Sequence, residues 1–286
     1  MRGRSTRRQS PLSTPPDWLA PTSLEEALEL RAELGAEATV VAGGTFLGIL
    51  LNQRLLAPAA LLSLRDVPGL GGVEVNGELR LGAMATHRAV ELSPAVRAGW
   101  PTLAQAFSLV ASPRVRNQAT VGGVLADADY ASDPPAMLCA LGARVVARSR
   151  GGSREIAIDE LITGHYETSL RPDELITEVC VPAGVERAVY RKFRSRSHED
   201  RPCVAVAAVL GRGGLRVVVG AVAGRPQLFP DLCALAENGL GADIAAEIAR
   251  RYADSIDPLS DVRGSSEYRR RIIGVEVRRA LEELLA

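Results

Sequence analysis

Residues 39–51, TVVAGGTFLGILL, run from a β-branched stretch through the pair Gly43 and Gly44 into an apolar segment. Such an order predicts a short buried strand at 39–42, a turn at the glycines and a helix that starts near Phe46. Residues 120–124, TVGGV, hold a second glycine pair, Gly122 and Gly123, again beside a threonine. Glycine lets backbone N–H groups come close to an anion, an adjacent hydroxyl adds a donor, and a following helix start adds partial positive charge. Two such loops are candidates to clamp a diphosphate from two sides, whereas a Gly-Gly pair after a strand taken alone is more often just a turn. Neither loop has the G-x-x-x-x-G-K-[ST] or G-x-G-x-x-G spacing, so nucleotide hydrolysis and a Rossmann site are not supported.

Upstream of the first loop, Ser23 and Glu26 form a capping-box pair, and Leu24, Ala27, Leu28, Arg31 and Leu34 continue at helical spacing to Gly35. Downstream, strands are expected at 59–64, 73–75 and 79–83, a helix at 102–111, a helix opening at Asp133, and strands near 143–148, 154–158 and 175–181. Residues 182–184 read as a boundary. Beyond them come strands at 188–194, 203–210 and 215–223, then helices at 230–237, 242–254 and 265–285. In the last helix Ile273, Val277, Leu281 and Leu284 share one face. Three strands followed by three helices suggest a small α+β domain.

The 286 residues hold one large domain or two ordinary ones, and 47% hydrophobic with 24% charged residues is the composition of a folded protein. Basic and acidic residues balance at 34 each, so no global field favours nucleic acid or an anionic membrane. Residues 1–16 carry Arg2, Arg4, Arg7 and Arg8 ahead of a Ser/Pro-rich run, without the apolar stretch of an export signal, and are expected to form a flexible tail. Other apolar runs fall short of the ~20 residues of a membrane span, so a cytoplasmic protein is expected. Cys139, Cys180, Cys203 and Cys233 lack cluster or zinc spacing, and the first three sit among apolar residues as buried thiols would.

His87, His165 and His198 have no ligand-type spacing, and Asp127 and Asp129 read as solvated loop acids, so no metal site is expected. Arg191, Arg194, Arg196 and Arg201 form either a face for an acidic partner or a solvated strand edge. Lys192 is the only lysine among the 34 basic residues. Either the coding is biased towards arginine, or this position needs a compact charge that guanidinium cannot supply.

The motifs occur in a set order: PTSLEEA at 21–27, VAGGT at 41–45, LGAMAT at 81–86, RNQATVGG at 116–123, Ser132 with Asp133, and DELI at 173–176 leading to Val181 and Pro182. In this the chain resembles the FAD-binding medium subunit of molybdenum hydroxylases, the group of xanthine dehydrogenase and aerobic carbon monoxide dehydrogenase. The likeness spans about residues 17–286 and includes Arg191, Lys192 and Phe193, Glu199 and Asp200, and the closing helices.

The resemblance implies an α+β chain: a two-subdomain FAD-binding fold of the vanillyl-oxidase type over 17–184, then a small three-strand, three-helix C-terminal domain over 185–286. It implies that Ala42, Gly43, Gly44, Thr45 and Phe46 and the loop of Thr120, Val121, Gly122, Gly123 and Val124 hold the pyrophosphate. It places Asp133 at the adenosine ribose side and Ile176 and Lys192 near the flavin, where a lysine would stabilise charge on the reduced ring. Phe46 and Val124 depart from the family, which commonly has Asp or Ser and Asn there; each lost side-chain bond is worth about 1 kcal/mol.

The implied role is electron transfer by FAD from [2Fe–2S] clusters on a small partner to O2, NAD or a quinone. A large partner would hold molybdopterin cytosine dinucleotide, in a dimer of heterotrimers. No catalytic side chain is nominated on this chain. A flavin-free assembly scaffold and a free-standing flavin oxidase are the rival readings.

Overall fold

The computed structural model describes residues 15–197 and 199–286. The tail expected at 1–16 lies outside the described residues up to residue 14, as does the solvated role expected of His198.

The first helix, Leu24–Leu34, is capped by Ser23 Oγ, which accepts the Glu26 N–H, and it ends at Gly35 with φ +49°. The carboxylate of Glu26 reaches one residue further back than a capping box requires, accepting the Thr22 N–H at 2.8 Å. Ala27 and Leu28 then pack on Leu64, Val67, Leu70 and Leu175. Beside this helix Ala60–Ser63 runs parallel to Ala38–Val41 on one side and to Asp17–Leu19 on the other.

A second subdomain is built on a five-stranded antiparallel sheet in the order Val73–Asn76, Glu78–Gly82, Leu175–Val181, Arg144–Ser149, Gly152–Ala157. Its apolar face, with Leu79, Leu81, Val145 and Val179, lies in one core with Phe107, Met137 and Leu138 from the helices. Several of those helices have no expectation in the sequence reading: His87–Leu92, Pro94–Gly99, Pro113–Arg116 and Val121–Asp127. They are short, and three of the four start at a capping side chain: Thr86, Ser93 and Thr120 each accept an N–H from the first turn.

The C-terminal sheet has four strands rather than the expected three, in the order Val185–Phe193, Val204–Gly211, Gly214–Gly220, Gln227–Leu228. The additional strand is only two residues long and carries no alternation to betray it. Along the second strand Val204, Val206 and Ala208 face the helices Ala242–Ser255 and Ser266–Leu285, while Ala205, Ala207 and Val209 join the core of the preceding subdomain. The period-2 geometry of one strand therefore fastens the two parts together from both faces. Ile273, Val277, Leu281 and Leu284 are all buried, as their spacing predicts.

Candidate functional site

Where the parallel strand Ala38–Val41 runs out, the chain turns through Gly44 at φ +67° into the helix Leu47–Asn52. Among the described residues, the N–H groups of Gly43, Gly44, Thr45 and Phe46 have no hydrogen-bond partner. The second loop lies against this turn so closely that a Cβ on Gly43 would collide with the Gln118 carbonyl.

Its N–H groups at 121–124 are occupied. Val121 N donates to Ala85 O at 3.0 Å, Gly122 N to Ala83 O at 2.8 Å, and Val124 N to Thr120 O at 3.1 Å. Gly123 N donates to Thr120 Oγ1 at 3.1 Å. The two loops do meet, and the Thr120 N–H, like those of residues 43–46, has no partner among the described residues. The clamp expected from the sequence is thus uneven in its donors, with the N–H row on the first loop and Thr120 on the second.

Both loops line a cleft of about 740 Å³, closed on its other sides by residues 131–134, Leu175 and Ile176, and by Lys192 and residues 199–201 of the C-terminal part. A volume below ~1,000 Å³ is that of a small-molecule or cofactor pocket. Ile176 is buried in the strand Leu175–Val181, where the register with the neighbouring strand shifts between Ile176 and Glu178.

Lys192 Nζ donates to Asp133 Oδ2 and to Leu109 O, both at 2.8 Å, and Tyr190 Oη donates to Asp133 Oδ1 at 2.8 Å. Burial pushes the Asp133 carboxyl upward, against the opposing pull of Lys192 and Tyr190. Burial likewise lifts the Tyr190 hydroxyl well above its usual range, with Asp133 adding to the effect. The lone lysine therefore lines the cleft with its charge paired to a buried carboxylate.

Phe46 stacks on Tyr166, with ring centroids 5.4 Å apart and planes 27° from parallel, and the Arg201 guanidinium lies 5.8 Å from its centre. Arg201 also pairs with Asp129. Asp129 is buried rather than solvated, and Asp127 lines the cleft beside it. The acids sit inward because the turn that carries them is pinned at Ala128, whose carbonyl accepts the Tyr166 N–H. Arg191, expected to face a partner or solvent, instead bonds Glu276 and Glu283 of the last helix.

His87 escaped functional notice in the sequence because it has no ligand-type spacing, though it directly follows the quoted LGAMAT motif. It is 1% exposed, lines the cleft, packs edge-on to Phe107, and hydrogen-bonds the Thr120 carbonyl through Nε2 at 3.2 Å. Among the described residues, no group of three or more His, Cys, Asp or Glu could hold a metal ion. All four thiols are buried, and burial pushes Cys139 up to about 12 and Cys180 to about 11.

Residues 11–184 match the family described as the FAD binding domain in molybdopterin dehydrogenase, and residues 188–284 match the CO dehydrogenase flavoprotein C-terminal domain. The chain belongs to this family of FAD-binding subunits. It is similar to the nicotine 6-hydroxylase medium subunit of Paenarthrobacter nicotinovorans, 35% identical over 93% of this chain and 96% of the relative. With the carbon monoxide dehydrogenase medium chain of Afipia carboxidovorans it shares 32% identity over 94% of this chain and 96% of that one. Among solved structures, reconstituted CO dehydrogenase from Oligotropha carboxidovorans superposes with a TM-score of 0.89 at 29% identity, covering 96% of this chain and 98% of the other. Quinoline 2-oxidoreductase from Pseudomonas putida 86 gives 0.86 at 28% identity with the same coverage.

As a member of these FAD subunits the chain is the flavoprotein component of an oxidoreductase. Its cleft fits such a cofactor: a row of open N–H donors suits a diphosphate, and a small-molecule cavity adjoins it. Among the described residues no helix is long and apolar enough to cross a membrane.

Proposed function

We propose that FAD lies along the cleft with its diphosphate on the open N–H row of Gly43, Gly44, Thr45 and Phe46. Thr120, Val121, Gly122, Gly123 and Val124 form the facing wall, with Ala42 at the entry to the turn. Asp133, held by Lys192 and Tyr190, offers a fixed carboxyl to a ribose hydroxyl, and Ile176 supplies an apolar surface at the strand bulge. The open N–H row carries this reading, because four consecutive unpaired donors facing a cleft have no use in the fold itself.

Bound there, FAD supplies an acceptor for two electrons that can be passed on singly. The role of this chain is then to accept electrons from [2Fe–2S] clusters of a small partner and deliver them to O2, NAD or a quinone, within a complex whose large subunit holds the molybdopterin. Named relatives that are medium subunits or medium chains support a multi-subunit assembly, and we propose a dimer of heterotrimers in the cytoplasm. The protein positions the cofactor and sets its surroundings; proton chemistry of the substrate belongs to the large partner.

Phe46 and Val124 do not favour the flavin-free scaffold. Phe46 is stacked on Tyr166 and leaves its own N–H open, while Val124 packs its side chain against the core. The test is a visible spectrum of the purified chain, followed by titration with FAD. Flavin absorbance that copurifies or is taken up stoichiometrically is expected; a colourless chain that takes up none overturns the reading. Isolation with a larger and a smaller subunit separates it from a free-standing oxidase.

A further inference from the structure

Two carboxyl groups and one guanidinium meet on the cleft wall that faces the first loop. Arg201 pairs with Asp129 and covers Phe46, the residue that ends the open N–H row. Asp127 lines the same cleft two residues away and, among the described residues, has no hydrogen-bond or ion-pair partner. Among the described residues Arg201 is the cation that acts on Asp127, while Arg31 and Arg171 also line the cleft, Arg194 acts on Asp133, and His165 packs on Tyr166. The Tyr166 hydroxyl lies near enough that Asp127 and Asp129 push it up, after burial, while Arg201 pulls it down. Glu199 and Asp200 line the cleft from the strand connection, and Lys192 is committed to Asp133. Arg201 thus faces two carboxyl groups, Asp129 paired with it and Asp127 beside them, and a proton on Asp127 balances this trio.

A diphosphate on the first loop brings two further negative charges into this partly dry space, where like charges at several ångströms repel strongly. We propose that Asp127 is a further cofactor-governing residue of this site, taking up a proton from solvent when the cleft receives its dinucleotide, so that binding and protonation are coupled. The inference rests on the FAD reading above. Burial and the neighbouring Asp129, partly offset by Arg201, already push the Asp127 carboxyl to about 7 in the empty cleft. Below that pH the acid is neutral beforehand and binding is unhindered. Above it, each bound dinucleotide must draw one proton from solvent, and affinity falls about tenfold per pH unit.

The test uses the full chain stripped of flavin, with FAD affinity followed by fluorescence quenching between pH 6 and 9. The wild-type chain should lose about a hundredfold in affinity over that range, and Asp127→Asn should stay nearly flat while Asp127→Glu keeps the slope. Calorimetry of the wild-type chain at pH 8 in two buffers of different ionisation enthalpy should show about one proton taken up per FAD, a readout that survives even if a variant fails to fold. Equal slopes in the wild-type and Asp127→Asn chains, or no proton uptake, overturn the coupling. Tight FAD binding independent of pH sinks this inference alone, whereas no FAD binding at any pH sinks the reading beneath it as well.

Discussion

Lys192 Nζ and Asp133 Oδ2 meet 2.8 Å apart at the seam between the C-terminal sheet and the helix Asp133–Ala140, with side chains 2% and 5% exposed. Removing one partner of a pair buried this deeply strands the other charge, and such losses run to about 3–5 kcal/mol. Lys192→Met should therefore lower stability by that order and reduce flavin content, and Asp133→Asn in the same chain should restore part of the stability. Denaturant unfolding of the two single variants and the double variant measures the coupling. Unchanged stability with a lowered flavin reduction potential would show instead that the lysine acts on the cofactor and not on Asp133.

The glycines of the first loop are not equivalent. A Cβ on Gly43 would strike the Gln118 carbonyl and force the two loops apart, whereas Gly44 has nothing nearer than Val41 Cγ1 at 3.9 Å and is special only for its φ of +67°. Gly44→Ala should destabilise by about 1 kcal/mol and keep most of its flavin. Gly43→Ala should lose both flavin and several degrees of Tm. The ratio of flavin to protein absorbance in each purified variant, beside its thermal transition, separates the two effects.

How much of this was legible in sequence follows from what each residue needs. The strand, glycine turn and helix at 39–51 obey local rules of period and turn chemistry, and so does the apolar face of Ile273, Val277, Leu281 and Leu284. The grouping of both glycine loops with Asp133, Ile176 and Lys192 around one cleft was legible only through resemblance, since no local rule links positions 43 and 192. Partners were not legible at all. That Lys192 meets Asp133, and Arg201 meets Asp129, depends on a packing of strand against helix that has no signature in spacing. The free N–H groups at 43–46 and the occupied ones at 121 and 122 differ for the same reason: Ala83 and Ala85, far off in the chain, accept from Gly122 and Val121.

His87 is held neutral. Burial, opposed by its bond to Thr120 and aided by Arg116, takes its pKa down from 6.5 to about 4, and among the described residues Nδ1 has no partner that could receive a second proton. A base with a lowered folded pKa favours the folded state fully above 6.5 and loses that contribution as the pH falls from 6.5 towards 4. The loss amounts to about 3 kcal/mol over that window. His87→Gln, which keeps a donor for the Thr120 carbonyl but cannot titrate there, should flatten this limb. Urea unfolding at intervals from pH 7 to 4 gives the comparison, and parallel curves for the two chains would exclude His87 as the source.

Arg269 is completely buried and has four acceptors: the carbonyls of Cys203, Leu259 and Gly264, and Asp261 Oδ1 at 2.7 Å. Asp261 in turn accepts the Tyr130 hydroxyl at 2.6 Å, which ties this corner of the C-terminal part to the turn that holds Asp127 and Asp129. Burial by itself would raise the Asp261 carboxyl, but Tyr130, the Arg263 amide and Arg269 together hold it far below the usual carboxylate range. An acid so depressed contributes stability that is complete above about pH 4 and is lost as the pH falls below it. Asp261→Asn should leave the Arg269 charge without a counterion and remove about 3–5 kcal/mol at neutral pH. Tyr130→Phe, which removes one hydrogen bond from an oxygen that still accepts from Arg263, should remove about 1–2 kcal/mol. Urea unfolding at pH 7 ranks the two variants, and the same measurement at pH 3 should find the wild-type chain and Asp261→Asn closer together, because the unfolded wild-type chain then binds a proton at Asp261 that the folded chain does not.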